Sequence, residues 1–231
     1  MSLASRLVGT VLRADQSMIE RHEPRVEGPM DPARYAWVPA LEAAHPAIRA
    51  ELDALLASGV SFPETSDVVG HDQGNEGSWT TYMLCSYGTW LEFNMARCPA
   101  TTAAVREVPG VTIAGFAVLH AGAHLPRHRG PSKSLRYHLG LRVPDPPGAS
   151  RIAIGDHEHA WCDGVSLVFD DSVEHEAWND AAEDRYVLFL EVLWPLPPVR
   201  SLLNRAAQRL VRAGARGVPR RAAELDAALN P

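Results

Sequence analysis

The chain has 231 residues, of which 46% are hydrophobic and 22% charged, an ordinary balance for a soluble protein that buries one core, and it excludes a disordered or low-complexity chain. Its net charge of −6 excludes general affinity for a nucleic-acid backbone, which calls for a basic footprint. Three cysteines (Cys85, Cys98 and Cys162), odd in number and without CxxC spacing, exclude a disulfide framework and a thiolate zinc site and fit a reducing compartment.

The amino terminus lacks the apolar run of a signal peptide, and no stretch reaches the roughly 18 consecutive apolar residues of a membrane span. A cytoplasmic protein is expected. Residues 1–60 are predicted to be helical with breaks. Leu3, Leu7, Val11 and Leu12 recur at helical spacing, Pro32 to Pro39 interrupts, and Leu41, Ile48, Leu52, Leu55 and Leu56 resume. Such helices are expected to cover a sheet. From 59 to 77 the composition shifts to Gly, Ser, Asp, Asn and Pro, a surface loop of the kind that carries substrate contacts. Strand-like runs then alternate with turn signals at 79–84, 89–94, 111–120, 134–143, 151–154, 165–169, 175–178 and 185–194. Short strands at such spacing predict a mainly β protein: a double-stranded β-helix of the cupin or jelly-roll kind, with flanking helices at both ends. Residues 1–198 form one unit, with a β core over about 79–195.

The tail from 199 to 231 differs in kind. It holds Arg200, Arg205, Arg209, Arg212, Arg216, Arg220 and Arg221 against Glu224 and Asp226, so it carries +5 while residues 1–198 carry −11. Leu202, Leu203, Ala206, Leu210 and Val211 make an apolar stripe. The stripe predicts a helix that docks on the acidic body or on a partner copy in a homodimer; a membrane-surface helix or phosphate-binding arm is the alternative.

Strand periodicity carries the chemical argument. In Leu135-Arg136-Tyr137-His138-Leu139-Gly140-Leu141, Arg136, His138 and Gly140 share one face, suited to a cavity, while the apolar residues share the other and pack against helices. Arg185 opens a second strand, 185–194, with almost no polar residue inside it except Glu191. A buried guanidinium there needs a planar anion; a carboxylate ligand suits it, and Glu191 or Asp184 would be the partner in a core ion pair. His128 in His128-Arg129-Gly130-Pro131 and His175 in Phe169-Asp170-Asp171-Ser172-Val173-Glu174-His175 are the candidate ligands of iron(II), for which neutral imidazoles are suited. The position two after His128, where an HxD or HxE pattern supplies a carboxylate, is Gly130. Asp170 and Asp171 are expected to hydrogen-bond within their turn. His120 and His124 recur with His128 every four residues, but Gly122 and Pro126 argue against a helix and leave them as strand-end or supporting residues. His157 and His159 flank Glu158 in a predicted exposed hairpin.

The HRGP…LRYHLGL and LVFDDSVEHEAWND stretches, within a region from about Cys98 to Pro195, resemble the aspartyl/asparaginyl β-hydroxylase family of iron(II)- and 2-oxoglutarate-dependent oxygenases. The resemblance implies that His128 and His175 hold iron, that Arg185 grips the distal carboxylate of 2-oxoglutarate, and that Arg136 and His138 contact its metal-side end. A glycine at position 130 is typical of the family, water filling the place of the third ligand. Ala117 stands where a family serine helps hold the distal carboxylate. The implied reaction couples O2 and decarboxylation of 2-oxoglutarate to hydroxylation of a C–H bond in a small-molecule, amino-acid or peptidyl substrate; Arg129, Ser132 and Lys133 are candidate substrate contacts. A radical halogenase placing chloride beside Gly130, and a non-catalytic cupin-like binding protein, are the competing readings.

Overall fold

The computed structural model describes residues 3–69, 78–130, 133–214 and 217–230. Helix α1 (Leu3–Glu20) is followed by a single 3-10 turn (Pro32–Arg34), α2 (Val38–Ala43), α3 (His45–Ala57) and α4 (Thr65–Val69). Strands β1 (Trp79–Ser86) and β2 (Thr89–Trp90) form a hairpin, and α5 (Glu92–Arg97) and α6 (Pro99–Arg106) lead into β3 (Val111–Leu119). Then come β4 (His124–His128), β5 (Ser134–Arg142), β6 (Ser150–Ile154), β7 (His157–Ala160), β8 (Ser166–Asp170), β9 (His175–Asn179) and β10 (Arg185–Leu193). Helices α7 (Pro198–Gly214) and α8 (Gly217–Leu229) end the chain.

The strands make two antiparallel sheets, one ordered β2-β1-β3-β10-β5-β8 and the other β4-β9-β6-β7. Their inner faces meet, with Leu119, Val187, Phe189, Leu167 and Phe169 of the larger sheet packed on Ile152, Ile154 and Ala177 of the smaller. Because side chains alternate across a strand, the outer face of the larger sheet is free to bury a second set. Tyr82, Phe116, Leu135, Tyr137, Leu139, Leu141, Leu188 and Leu190 pack there with Leu41, Ile48, Leu52 and Leu55 of α2 and α3. Burying a side chain of this size contributes about 1.5–3 kcal/mol. The helices between 38 and 57 are thus the cover that the sequence predicts, on a double-stranded β-helix.

Several elements depart from the sequence reading. The run 89–94 is strand only at Thr89–Trp90; the chain then turns into α5, where the buried Asn94 side chain donates to the Met83 carbonyl at 2.8 Å. Strand β4 contains Pro126, and its pairing with β9 shifts register between Leu125 and His128, which is how a residue without an N–H fits a ladder. Part of the expected 59–77 loop is α4, and residues 70–77 lie outside the described residues. Cys85 and Cys98 are buried and free, whereas Cys162 is free but exposed.

The tail corrects the expectation most. Helix α8 docks on the body, Ala222, Val218 and Leu225 meeting Val68, Met83 and Leu91, and Asn230 exchanges two hydrogen bonds with the Ser61 backbone at 2.7 and 3.0 Å. Helix α7 lies against α1, but its buried residues are Asn204 and Ala207, whereas Leu202, Leu203, Ala206 and Leu210 are exposed. The apolar stripe is not the surface by which α7 docks; the side chain of Val211 lies outside the described residues.

Candidate functional site

The inner faces of the two sheets enclose a cavity whose polar lining consists of His128, His175, Arg136, His138 and Arg185, set among apolar and aromatic walls that include Trp79, Trp161, Phe169 and Phe189. Pairing of β4 with β9 puts His128 directly opposite His175, their rings 4.2 Å apart between centroids. Each ring is oriented in the same way. His128 Nδ1 lies 2.7 Å from the Pro126 carbonyl and His175 Nδ1 lies 2.9 Å from the Val173 carbonyl, in both cases two residues back along the chain. A carbonyl only accepts, so Nδ1 carries the proton and Nε2 keeps its lone pair. Burial, acting with His128 and Arg136 against the opposing pull of Asp171, lowers His175 to about 4, which favours the neutral, metal-ligating form. Among the described residues no group of three or more His, Cys, Asp or Glu side chains is placed to hold a metal ion; His128 and His175 stand as a pair of imidazoles.

Asp171 enters the site in a way the sequence reading missed. Asp170 behaves as expected of a turn residue, accepting from the Ser172 N–H at 3.0 Å and its hydroxyl at 2.7 Å. Asp171 instead takes a two-pronged bond from Arg136, Nε to Oδ1 at 3.0 Å and Nη2 to Oδ2 at 2.7 Å, and its Oδ1 stands 3.8 Å from His175 Nε2. Burial acts to raise its carboxyl, but Arg136 and the two histidines hold it below the usual carboxylate range. A Cβ placed on Gly130 would lie 1.7 Å from Asp171 Oδ2. Position 130 is therefore glycine because an aspartate from the facing turn already fills the space of a side chain there. The signal available was spacing: Asp171 stands four positions before His175.

The two arginines differ. Arg136 has Asp171 and, at 3.5 Å, Glu191 as ion-pair partners, and only Nη1 is buried without a hydrogen bond. Arg185 is 4% exposed and lies over the Trp161 ring at 4.2 Å, with Nε and Nη1 both buried and without a hydrogen-bond partner among the described residues. Neither core ion pair suggested for it forms, since Asp184 bonds His120 at 3.1 Å and Glu191 bonds Thr112 at 2.5 Å. Burial alone lowers Arg185 to about 9. A guanidinium in this state is costly until an anion arrives. His138 accepts from Trp161 Nε1 at 3.3 Å on its Nδ1, so its proton sits on Nε2; burial first, then the two arginines, hold it well below the ordinary histidine value. Ala117 lines the cavity and offers no hydroxyl to a ligand of Arg185. The sequence analysis did not single out Trp161, which supports both Arg185 and His138.

Other candidates fall elsewhere. Lys133 is corrected from substrate contact to core ion pair: its side chain is fully buried 2.5 Å from Asp170, donates to the Pro24 carbonyl at 2.9 Å and lies over Trp194. Arg129 is on the surface, 3.3 Å from Glu174, and Ser132 lies outside the described residues. His120 and His124 do not line the cavity; His124 is exposed, bonded to Glu176 at 2.7 Å and stacked on Trp178. His157 is exposed and His159 half-buried on the β6–β7 hairpin.

Two antiparallel sheets closed over a cavity of paired histidines and arginines define a double-stranded β-helix protein with its site between the sheets. Residues 42–195 match the family model described as aspartyl/asparaginyl beta-hydroxylase, and the chain belongs to that family of hydroxylases. It is 38% identical over 183 residues to the ornithine lipid ester-linked acyl 2-hydroxylase of Rhizobium tropici, covering 78% of this chain and 65% of that one. It is 30% identical over 145 residues to human aspartyl/asparaginyl beta-hydroxylase, covering 60% of this chain and 18% of that one. The chain thus spans less than two thirds of either relative. Among solved structures, a predicted oxalate decarboxylase from Thermotoga maritima is similar with a TM-score of 0.40 at 13% identity, over 59% of this chain and 96% of that one.

Proposed function

We propose that the protein is an iron(II)- and 2-oxoglutarate-dependent hydroxylase acting on an aliphatic C–H bond, with the acyl chain of a lipid as its substrate class. The observation that carries the reading is the cavity's unmatched chemistry: two imidazoles paired across β4 and β9 with their Nε2 lone pairs free of the carbonyls that hold Nδ1, in one cavity with a buried arginine two of whose nitrogens have no partner among the described residues. His128 and His175 would hold the metal, and Arg185 the distal carboxylate of the keto acid, with Arg136 Nη1 and the Nε2 proton of His138 available to its other end. Bound iron and 2-oxoglutarate would supply the oxidising power for C–H hydroxylation by O2. The protein's own part is positional. The Pro126 and Val173 carbonyls fix both imidazole tautomers, Trp161 fixes His138, and the aromatic walls keep water from the reacting centre.

The lipid substrate is supported by the likeness to the Rhizobium tropici acyl hydroxylase, together with the apolar and aromatic residues that make up the rest of the lining among the described residues. Chloride chemistry is disfavoured by Asp171, whose carboxylate occupies the space beside Gly130; a second anion there would be repelled at short range. Incubation with iron(II), 2-oxoglutarate, O2 and a bacterial lipid extract is expected to give metal-dependent succinate and a lipid heavier by one oxygen. Failure to form the heavier lipid would remove the lipid as substrate, and failure to form succinate with small-molecule, amino-acid or peptidyl substrates as well would return the chain to the non-catalytic binding reading.

Arg185→Ala separates ligand binding from structure. Removing the guanidinium is expected to weaken 2-oxoglutarate by about 2–5 kcal/mol, the loss for one partner of a buried charge pair, while iron binding is retained. Stability without ligand should hold or rise, because a buried charge with no partner has been removed. Calorimetry and denaturant unfolding read the two effects; a variant that loses stability and keeps cosubstrate affinity would make Arg185 structural.

A further inference from the structure

Helix α7 touches the body through a narrow face and leaves its apolar one in solvent. Val199, Leu202, Leu203 and Leu210 are 74%, 69%, 54% and 49% exposed, four of the seven large hydrophobic side chains exposed among the described residues. Ala206 and Ala213 are exposed with them. At 3.6 residues per turn these six share one arc of roughly 100°, and an exposed patch of that kind marks an interaction surface.

The arginines give the patch its partner. None of Arg200, Arg205, Arg209 and Arg212 pairs with an acid among the described residues, whereas Arg220 on α8 pairs with Glu224 at 2.7 Å. Arg205, Arg209 and Arg212 line a cleft between α7 and the body together with Tyr87 and Thr112. That cleft is at the Asp171 end of the barrel: Thr112 bonds Glu191 at 2.5 Å, and Glu191 stands 3.5 Å from Arg136, which holds Asp171. Helix α1 lies against α7 and reaches the same end, where Gln16 accepts from the Lys133 N–H at 2.5 Å.

We infer that α7 docks the protein on an anionic lipid bilayer, its leucines in the acyl boundary and its arginines on the phosphates, with the His128–His175 end of the barrel toward the lipid. The charge distribution orients the contact. The tail from 199 carries +5 and the rest of the chain −11, so an anionic surface attracts α7 and repels the body. A second copy seated symmetrically on the same stripe would set one row of unpaired arginines against another. The inference stands on α7 alone, though it suits an enzyme whose substrate is a lipid.

The test is co-sedimentation of the full chain, without iron or 2-oxoglutarate, with vesicles of phosphatidylcholine alone and of phosphatidylcholine mixed with phosphatidylglycerol. Binding is expected to the mixed vesicles only, and to fall as salt rises. Arg205→Glu with Arg209→Glu is expected to cut partitioning by about tenfold or more, since each basic residue near such a surface contributes roughly fivefold; Leu202→Glu with Leu203→Glu should do the same. All four positions are exposed, and circular dichroism checks that the fold is kept. Equal binding to both vesicle types, or binding that neither double variant reduces, would overturn the proposal. So would a wild-type dimer that ignores vesicles and that the leucine variant dissociates, which would assign the stripe to a second copy. Because no metal is present, these outcomes leave the hydroxylase reading untouched.

Discussion

Alanine at either His128 or His175 is expected to abolish stoichiometric iron(II) binding. In the proposed site two imidazoles are the donors and no third stands beside them among the described residues; even indirect supports of metal-bound histidines typically alter affinity by about 10–100-fold when removed, and losing a donor itself costs more. The substitutions separate binding from folding. His128 is half-buried near the end of β4 and His175 is buried, and among the described residues both imidazoles hydrogen-bond only to local carbonyls two residues back, with Asp171 at 3.8 Å from His175 Nε2. No distant element depends on those two bonds, so the variants should unfold cooperatively close to the wild type. Titration of iron(II) against a competing chelator, alongside thermal unfolding, reads both. Stoichiometric binding retained by both variants would move the metal elsewhere.

What the sequence makes legible follows from the range of the interactions involved. The alternation in 134–142 places Arg136 and His138 in the cavity and Leu135, Tyr137, Leu139 and Leu141 under the helices, because a period of two is imposed by the strand itself. The pairing of β4 with β9 is longer in range and hidden by Pro126. Helix α6 is similarly obscure: its first N–H groups are met by Glu51 from α3, which accepts from Ala100 at 2.7 Å and Thr101 at 2.8 Å, so no local cap announces the helix. Lys133 looks like a surface residue after a glycine-proline turn, yet a carboxylate 37 residues away and the Trp194 ring draw it inside. The tail misleads for the opposite reason. An apolar stripe at helical spacing states that a helix has a sticky face but not what meets it, and in α7 the body meets Asn204 and Ala207 instead. Asp171 combines both difficulties, since its adjacency to Gly130 depends on how the 128–130 and 170–172 segments pass each other.

That adjacency makes Gly130→Asp a severe substitution rather than the creation of a third metal ligand. From the sequence, a carboxylate two residues after His128 would be expected to reach the metal. In the folded chain a Cβ at 130 would stand 1.7 Å from Asp171 Oδ2 and 2.4 Å from its Cγ, distances no side chain tolerates, so Asp171 must move and release Arg136. Breaking a buried pair by displacing one partner costs about 3–5 kcal/mol, and Gly130→Ala should incur much of the same loss. Adding Asp171→Gly to Gly130→Asp removes the clash and returns a carboxylate to the neighbourhood of Arg136, so the double variant is expected to be more stable than Gly130→Asp alone. Such non-additivity is the signature of two side chains competing for one space; denaturant midpoints for the two single variants and the double one measure it. Strictly additive losses would mean that the two positions do not compete. The same occupancy bears on the reaction, because chloride beside Gly130 would have to share the space with the Asp171 carboxylate. Wild-type protein supplied with abundant chloride should therefore yield hydroxylated and no chlorinated product, and a product carrying chlorine would show that Asp171 leaves this position during turnover.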